Sequence, residues 1–118
     1  MISKPRLEAL DAGLKLAGVE MSIPLLRTLI AVALNQNQSV TELAELIGAP
    51  QQTASRYISV LQGRYQTADA SSVFSREPLI VQKPSASDLR RYELHLTTRG
   101  AAKLEAILDR IFAKEGTL

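Results

Sequence analysis

The chain has 118 residues, 46% of them hydrophobic, 22% charged and a formal net charge of +2, which fits one compact domain with a modest core. It contains no cysteine, so disulfides, thiol catalysis, thiol redox sensing and cysteine-ligated zinc are excluded. No apolar run approaches the roughly 20 residues that span a bilayer, and Glu8 and Asp11 stand where a signal peptide needs its apolar core, so a soluble, cytoplasmic protein is expected.

Leu7, Leu10, Leu14 and Ala17 recur at three- and four-residue steps, which predicts an amphipathic helix from Pro5 to about Ala17. Gly13 lies inside it at a cost of about 1 kcal/mol relative to alanine. The stretch "SIPLLRTLIAVALNQ" opens with Ser22 as a cap and Pro24 in the first turn, where proline is tolerated. Being apolar nearly all round, this second helix is expected to be the buried centre of the fold, and "NQNQ" ends it in a polar turn.

The segment "SVTELAELIGAPQQTASRYISVLQ" carries the strongest functional signal. Ser39 and Glu42 have capping-box spacing, with Thr41 as the alternative cap. Leu43, Ala44, Leu46 and Ile47 give a short helix an apolar face, and Gly48 is the left-handed residue that ends it. After the turn at Ala49 and Pro50, a further helix runs from about Gln51 to at least Leu61. Ala54, Tyr57, Ile58 and Leu61 fall on one stripe, and Gln51, Gln52, Thr53, Ser55, Arg56 and Ser59 on the other. Two helices joined by a short glycine-containing turn, with small Ala54 where they must approach, form a helix-turn-helix. Glutamine can bond both N6 and N7 of adenine, and arginine both O6 and N7 of guanine, so the polar face suits a major groove.

"GRYQTADASSVFSREP" follows, either an extension of the helix past Arg64 or a polar loop; its serines and its lack of periodicity favour the loop. Next come a strand from about Leu79 to Lys83, a turn "PSASD", and a second strand from about Arg91 to Thr97. In the second strand Tyr92, Leu94 and Leu96 alternate with Arg91, Glu93 and His95, so the first set should face the core and the second the solvent. At Thr97 or Thr98 the period changes to that of a helix, with a threonine placed to cap it. This last helix, about 98–114, carries a broad stripe of Leu104, Ile107, Leu108, Ile111 and Phe112.

The order helix, turn, helix, hairpin, helix is that of a winged helix. The fold class expected is mainly α with a small β-hairpin wing, in a single domain over residues 1–118. Its parts are flanking helices at about 5–17 and 98–114, a helix-turn-helix at about 39–63 and a wing at about 79–97. The charge is not evenly spread along this order. Residues 1–49 carry four bases and five acids (−1), residues 50–100 seven bases and four acids (+3), and residues 101–118 three of each (0). The positive excess thus covers the second helix of the motif and the wing, where Lys83, Arg90 and Arg91 are candidates for phosphate or minor-groove contacts.

The run Asp88-x-Arg90 followed by Leu94-x-Leu96-Thr97-x-x-Gly100 resembles the wing and following helix of the multiple-antibiotic-resistance regulators, the MarR family. "TELAELIGAPQQTASRYISVL" resembles that family's helix-turn-helix. The resemblance covers roughly Ser39 to Gly100 with one interruption. It implies a homodimer on pseudo-palindromic double-stranded DNA, one recognition helix per half-site, with Asp88 bracing the wing and Arg90 entering the minor groove. Two departures stand out: the long segment before the wing, and a single helix after it where the family usually has a longer dimerisation region.

The apolar surface of Leu7, Leu10 and Leu14, together with Leu104, Ile107, Leu108, Ile111 and Phe112, exceeds what one small winged helix covers, so these residues are the expected dimerisation surface. The competing arrangement packs the two terminal helices on each other within one subunit. Catalysis finds little support. His95 is the single histidine, the carboxylates are scattered, and neither a glycine-rich phosphate loop nor metal-ligand spacing occurs, so no enzyme activity, metal or cofactor is expected. The rival to a DNA-binding regulator is a winged helix used for protein contacts in a larger assembly. The residues identify no small-molecule effector.

Overall fold

Three serines set where the first helices begin. In the computed structural model, which describes residues 1–18, 21–63 and 78–116, α1 (Lys4–Ala17), α2 (Ile23–Leu34) and α3 (Val40–Ile47) each start one residue after a serine. The hydroxyls of Ser3, Ser22 and Ser39 accept from first-turn backbone N–H groups that would otherwise lack a partner. The capping box is complete: Ser39 Oγ accepts from the Glu42 N–H at 3.2 Å, and Glu42 Oε1 accepts from the Ser39 N–H at 2.9 Å. Gly48 ends α3 with φ 70 and ψ 36, a left-handed conformation that costs glycine little. Then follow α4 (Gln51–Leu61), β1 (Ile80–Pro84), β2 (Tyr92–Leu96) and α5 (Thr98–Gly116). Thr97 is the cap of α5, its Oγ1 accepting from the Gly100 N–H at 2.9 Å. The expected polar loop lies outside the described residues but for its two ends.

β1 and β2 pair antiparallel, with Ile80 opposite Leu96 and Pro84 opposite Tyr92. A third member joins them from the α2–α3 turn. The Leu94 N–H donates to Gln38 O at 2.8 Å, and the Asn37 N–H donates to Leu94 O at 3.3 Å. β2 is therefore bonded along both edges. A one-residue bridge has no periodic pattern, so nothing in the sequence marks Gln38 as part of a sheet.

The main core gathers Leu25, Leu29 and Val32 of α2, Leu43 of α3, Ile58 and Leu61 of α4, and Ile80 and Leu94 of the hairpin. Each such side chain contributes about 1.5–3 kcal/mol when removed from water. A second, smaller cluster joins Ala17, Leu26 and Ile107, with Leu104 and Ile111 packed against it. α2 serves both clusters, yet it is not buried all round as its composition predicts, since Ile23, Ile30 and Leu34 are exposed. Leu46 of α3 is exposed as well. The strand alternation holds in its middle and fails at its end. Leu94 is buried, but Tyr92, on the same side, is 55% exposed, because the register places it opposite Pro84, next to the hairpin turn. On the other side Glu93 and His95 are half-buried rather than solvated.

Two glycines mark where elements touch without room for a side chain. A Cβ on Gly13 would come within 2.6 Å of Ile111 Cγ1 and 3.2 Å of Ile107 O, so the residue that weakens α1 also lets it close onto α5. At Gly100, in the first turn of α5, a Cβ would overlap the Leu79 carbonyl oxygen and lie 2.9 Å from Leu96 Cδ1. That carbonyl accepts from the Thr97 N–H at 3.0 Å, so it is pinned. Gly100→Ala should therefore cost about 1–3 kcal/mol through overpacking, read as a lower urea midpoint with an unchanged slope. A midpoint equal to that of the wild type would mean that the strand moves aside freely.

Candidate nucleic-acid interface

α4 stands on the core through Ala54, Ile58 and Leu61, all buried, with Tyr57 half-buried beside them. Ala54 is fully buried, and its small side chain lets α3 and α4 pack closely. The remaining positions form the expected polar face: Gln51, Gln52, Ser55 and Arg56 are exposed, Thr53 and Ser59 half-buried. This helix opens on Pro50 without a side-chain cap, unlike the three before it.

The wing is fastened at its base and ordered at its tip. At the base the Leu79 N–H donates to Leu61 O at 2.8 Å, and Gln62 Nε2 donates to Gln82 Oε1 at 3.3 Å, so the hairpin starts from the end of α4. At the tip the Ser85 N–H donates to Arg91 O at 2.7 Å and the Arg91 N–H to Asp88 O at 2.9 Å. Ser85 is buried, and its hydroxyl accepts from the Ser87 N–H. The Asp88 carboxylate accepts from the Arg90 N–H at 3.0 Å and lies 3.7 Å from Arg90 Nε. The Arg90 side chain itself is 95% exposed. Lys83 is exposed on β1, opposite Glu93 in the register.

Arg91 is placed otherwise than its neighbour. Its Nη2 donates to Glu42 Oε1 at 2.5 Å and to Asn37 O at 3.3 Å, and its Nε lies 3.7 Å from Glu93 Oε2. The guanidinium thus turns back onto the start of α3 instead of joining Arg90 at the wing surface. The Arg91 hydrogen bond, followed by the Ser39 N–H, holds the Glu42 carboxyl below its ordinary range, and the same contact raises Arg91 further. Glu93 also lies 3.7 Å from His95 Nε2, which links the histidine to this cluster. Glu42 is recognisable in the sequence as a capping residue, but no pattern relates it to an arginine 49 positions away.

The expected dimerisation residues divide into two groups. Leu104, Ile107 and Ile111 pack inside the chain against α2 and the end of α1, as in the arrangement where the terminal helices cover each other. Leu7, Leu10, Leu14, Leu108 and Phe112 remain exposed. Among the described residues no group of three or more His, Asp or Glu side chains is placed to hold a metal ion, and no helix is long and apolar enough to cross a membrane.

No protein-family model and no curated protein sequence matches the chain. Solved structures do. S. aureus MepR bound to ethidium bromide aligns with a TM-score of 0.72 over 93% of this chain and 69% of its own, at 20% identity. RV1404 from Mycobacterium tuberculosis aligns with a TM-score of 0.68 over 92% of this chain and 65% of its own, also at 20% identity. The S. aureus MepR-DNA complex gives 0.66, covering 92% of this chain and 77% of that one, at 20% identity. The chain thus spans about two thirds of the length of MepR bound to ethidium bromide and of RV1404. These neighbours are MarR-family regulators, so the likeness first carried by the Asp88–Gly100 motif extends to the whole winged-helix fold.

The Glu42–Arg91 pair gives acid stability a definite sign. A carboxyl whose folded-state pKa is depressed contributes stability that is complete above its unfolded value, 4.5, and is lost as pH falls through the lower folded value. Thermal melts taken from neutral pH downward should show the wild type losing more stability below about pH 4.5 than Glu42→Gln, which has no carboxyl to protonate there. Parallel profiles for the two proteins would mean that the pair adds nothing to stability.

Proposed function

We propose that the chain is a sequence-specific, double-stranded DNA-binding transcriptional regulator, acting as a homodimer with one α4 in the major groove of each half-site. The observation that carries this reading is the exposed polar face of α4, seated on the core by Ala54, Ile58 and Leu61 and flanked by a hydrogen-bonded wing. Gln51, Gln52 and Arg56 have the donor and acceptor geometry for adenine and guanine edges, and helix-turn-helix proteins present the start of this helix to the bases. Thr53, Ser55 and Ser59 supply hydroxyls for base edges or phosphates. On the wing, Arg90 is the residue for a narrow minor groove and Lys83 for the backbone, with Asp88 bracing the turn. The fold shared with a DNA-bound MepR structure supports the reading, and the regulator neighbours argue against an enzyme. In this account the protein is cytoplasmic and its 118 residues form one domain.

A second copy is the natural cover for Leu7, Leu10, Leu14, Leu108 and Phe112, which a lone chain leaves in water. A twofold pair also matches two half-sites one helical turn apart.

Selection from a random duplex pool should enrich one pseudo-palindromic site. On that site Arg56→Ala should lose about 1–3 kcal/mol and relax preference at one position per half-site. Arg90→Ala should instead lower the slope of log affinity against log salt by about 0.9 per subunit. A pool that enriches nothing would remove sequence-specific binding from the account, and a uniform loss by Arg56→Ala would reduce Arg56 to a phosphate contact.

For assembly, light scattering at tens of micromolar should find a dimer for the wild type. Phe112→Asp should give a monomer whose circular dichroism is unchanged, since Phe112 is already exposed in the single chain. A monomeric wild type would end the dimer reading.

A further inference from the structure

Resting on that DNA-binding reading, we infer that Arg91 and Glu42 form a clasp fixing the wing's angle against the helix-turn-helix, so that Arg91 is a positioning residue and not a phosphate contact. Two adjacent arginines at the mouth of a wing are expected to act alike. Their surroundings separate them. Arg90 is 95% exposed, and among the described residues it faces one carboxylate, its own turn's Asp88 at 3.7 Å. Arg91 has both backbone groups fixed within the hairpin, its N–H by Asp88 O and its carbonyl by the Ser85 N–H. Its guanidinium then meets three oxygens from three other places: the Glu42 carboxylate of α3, the Asn37 carbonyl of the α2–α3 turn, and the Glu93 carboxylate of β2.

Electrostatics points the same way. One positive charge stands against two carboxylates, so this cluster offers no net attraction to a phosphate. A planar, forked guanidinium is suited to several fixed acceptors at once, and Glu42 is itself fixed by its bond to the Ser39 N–H. The clasp therefore joins the hairpin tip to the first turn of the helix-turn-helix motif. The remaining tip bonds, among Ser85, Ser87, Asp88 and Arg90, stay within the hairpin and cannot orient it. Without the clasp the hairpin is anchored at its base and at Leu94, and its tip samples several angles. Binding then weakens in proportion to the fraction of molecules whose wing is correctly set.

Arg91→Gln, Glu42→Gln and the double variant test this; glutamine at position 42 keeps an acceptor for the capping bond. Each protein is titrated with the selected duplex at several salt concentrations, and amide exchange of the free protein is followed at Asn37 and Leu94, whose N–H groups bond across the seam between the α2–α3 turn and β2. The expected result is that both single variants and the double weaken binding alike, by about fivefold or more, because either change opens the same clasp. The salt slope stays at the wild-type value, and exchange at both amides quickens in all three variants. Glu42→Gln is the decisive member, since it removes a negative charge and still weakens binding. Tighter binding by Glu42→Gln, with a slope reduced by about 0.9 per subunit in Arg91→Gln, would make Arg91 a phosphate contact and overturn the inference. Unchanged affinity in all three would overturn it too. A wild type that binds no duplex would defeat the functional reading alone, because amide exchange still decides the clasp: unaltered rates would mean that no clasp exists.

Discussion

Leu94 is held on every side, and the rest of the fold is arranged around it. Its N–H and carbonyl are bonded to Gln38 and Asn37, its strand is paired to β1 along the other edge, and its side chain is 1% exposed in the main core. Backbone groups buried without partners are costly, so a central strand needs bonds on both edges, and here the α2–α3 turn supplies the second edge. That one requirement brings the wing beside the start of α3 and places Asn37 and Glu42 within reach of Arg91. Thr97, three residues on, caps α5, so the strand also fixes where the last helix begins.

Within the frame set by β2, the charges of the wing fall into two classes. Arg91 is compensated by the carboxylates around it and lies against the protein. Arg90 and Lys83 extend into solvent. The net excess of +3 over residues 50–100 therefore overstates the charge available to a partner, since a compensated guanidinium contributes little field at a distance. The proposed interface depends less on total charge than on which side chains are free to reach outward. A core-packed helix carrying glutamines and Arg56, and a wing whose Arg90 side chain is 95% exposed, meet that condition.

The small size of the chain shows in how its core divides. α2 packs the helix-turn-helix and wing on one side and the crossing of α1 with α5 on the other, which leaves its third side in water. Gly13 permits that crossing by leaving space for Ile111. α5 consequently uses Leu104, Ile107 and Ile111 within the chain, while Leu108 and Phe112 remain uncovered, as do the leucines of α1. The chain spans about two thirds of the length of MepR bound to ethidium bromide and of RV1404, and its terminal helices carry the apolar surface that the proposed dimer would bury.

Much of this architecture is written in local chemistry. Ser22, Ser39 and Thr97 mark helix starts, Gly48 marks an end, and the alternation around Leu94 marks a strand, because caps, left-handed residues and side-chain periods each act over a few neighbouring positions. The polar face of α4 is legible for the same reason: the helical period alone separates Gln52 and Arg56 from Ala54 and Ile58. Other features were decided only by the fold. The sheet edge at Gln38, the exposure of Tyr92 and Leu46, the glycine contacts at Ile111 and Leu79, and the inward turn of Arg91 all depend on residues far away in the chain. Arg90 and Arg91 are the same residue type in adjacent positions, and composition cannot tell them apart. What separates them is a carboxylate 49 residues earlier, brought within hydrogen-bonding distance because β2 required a second edge.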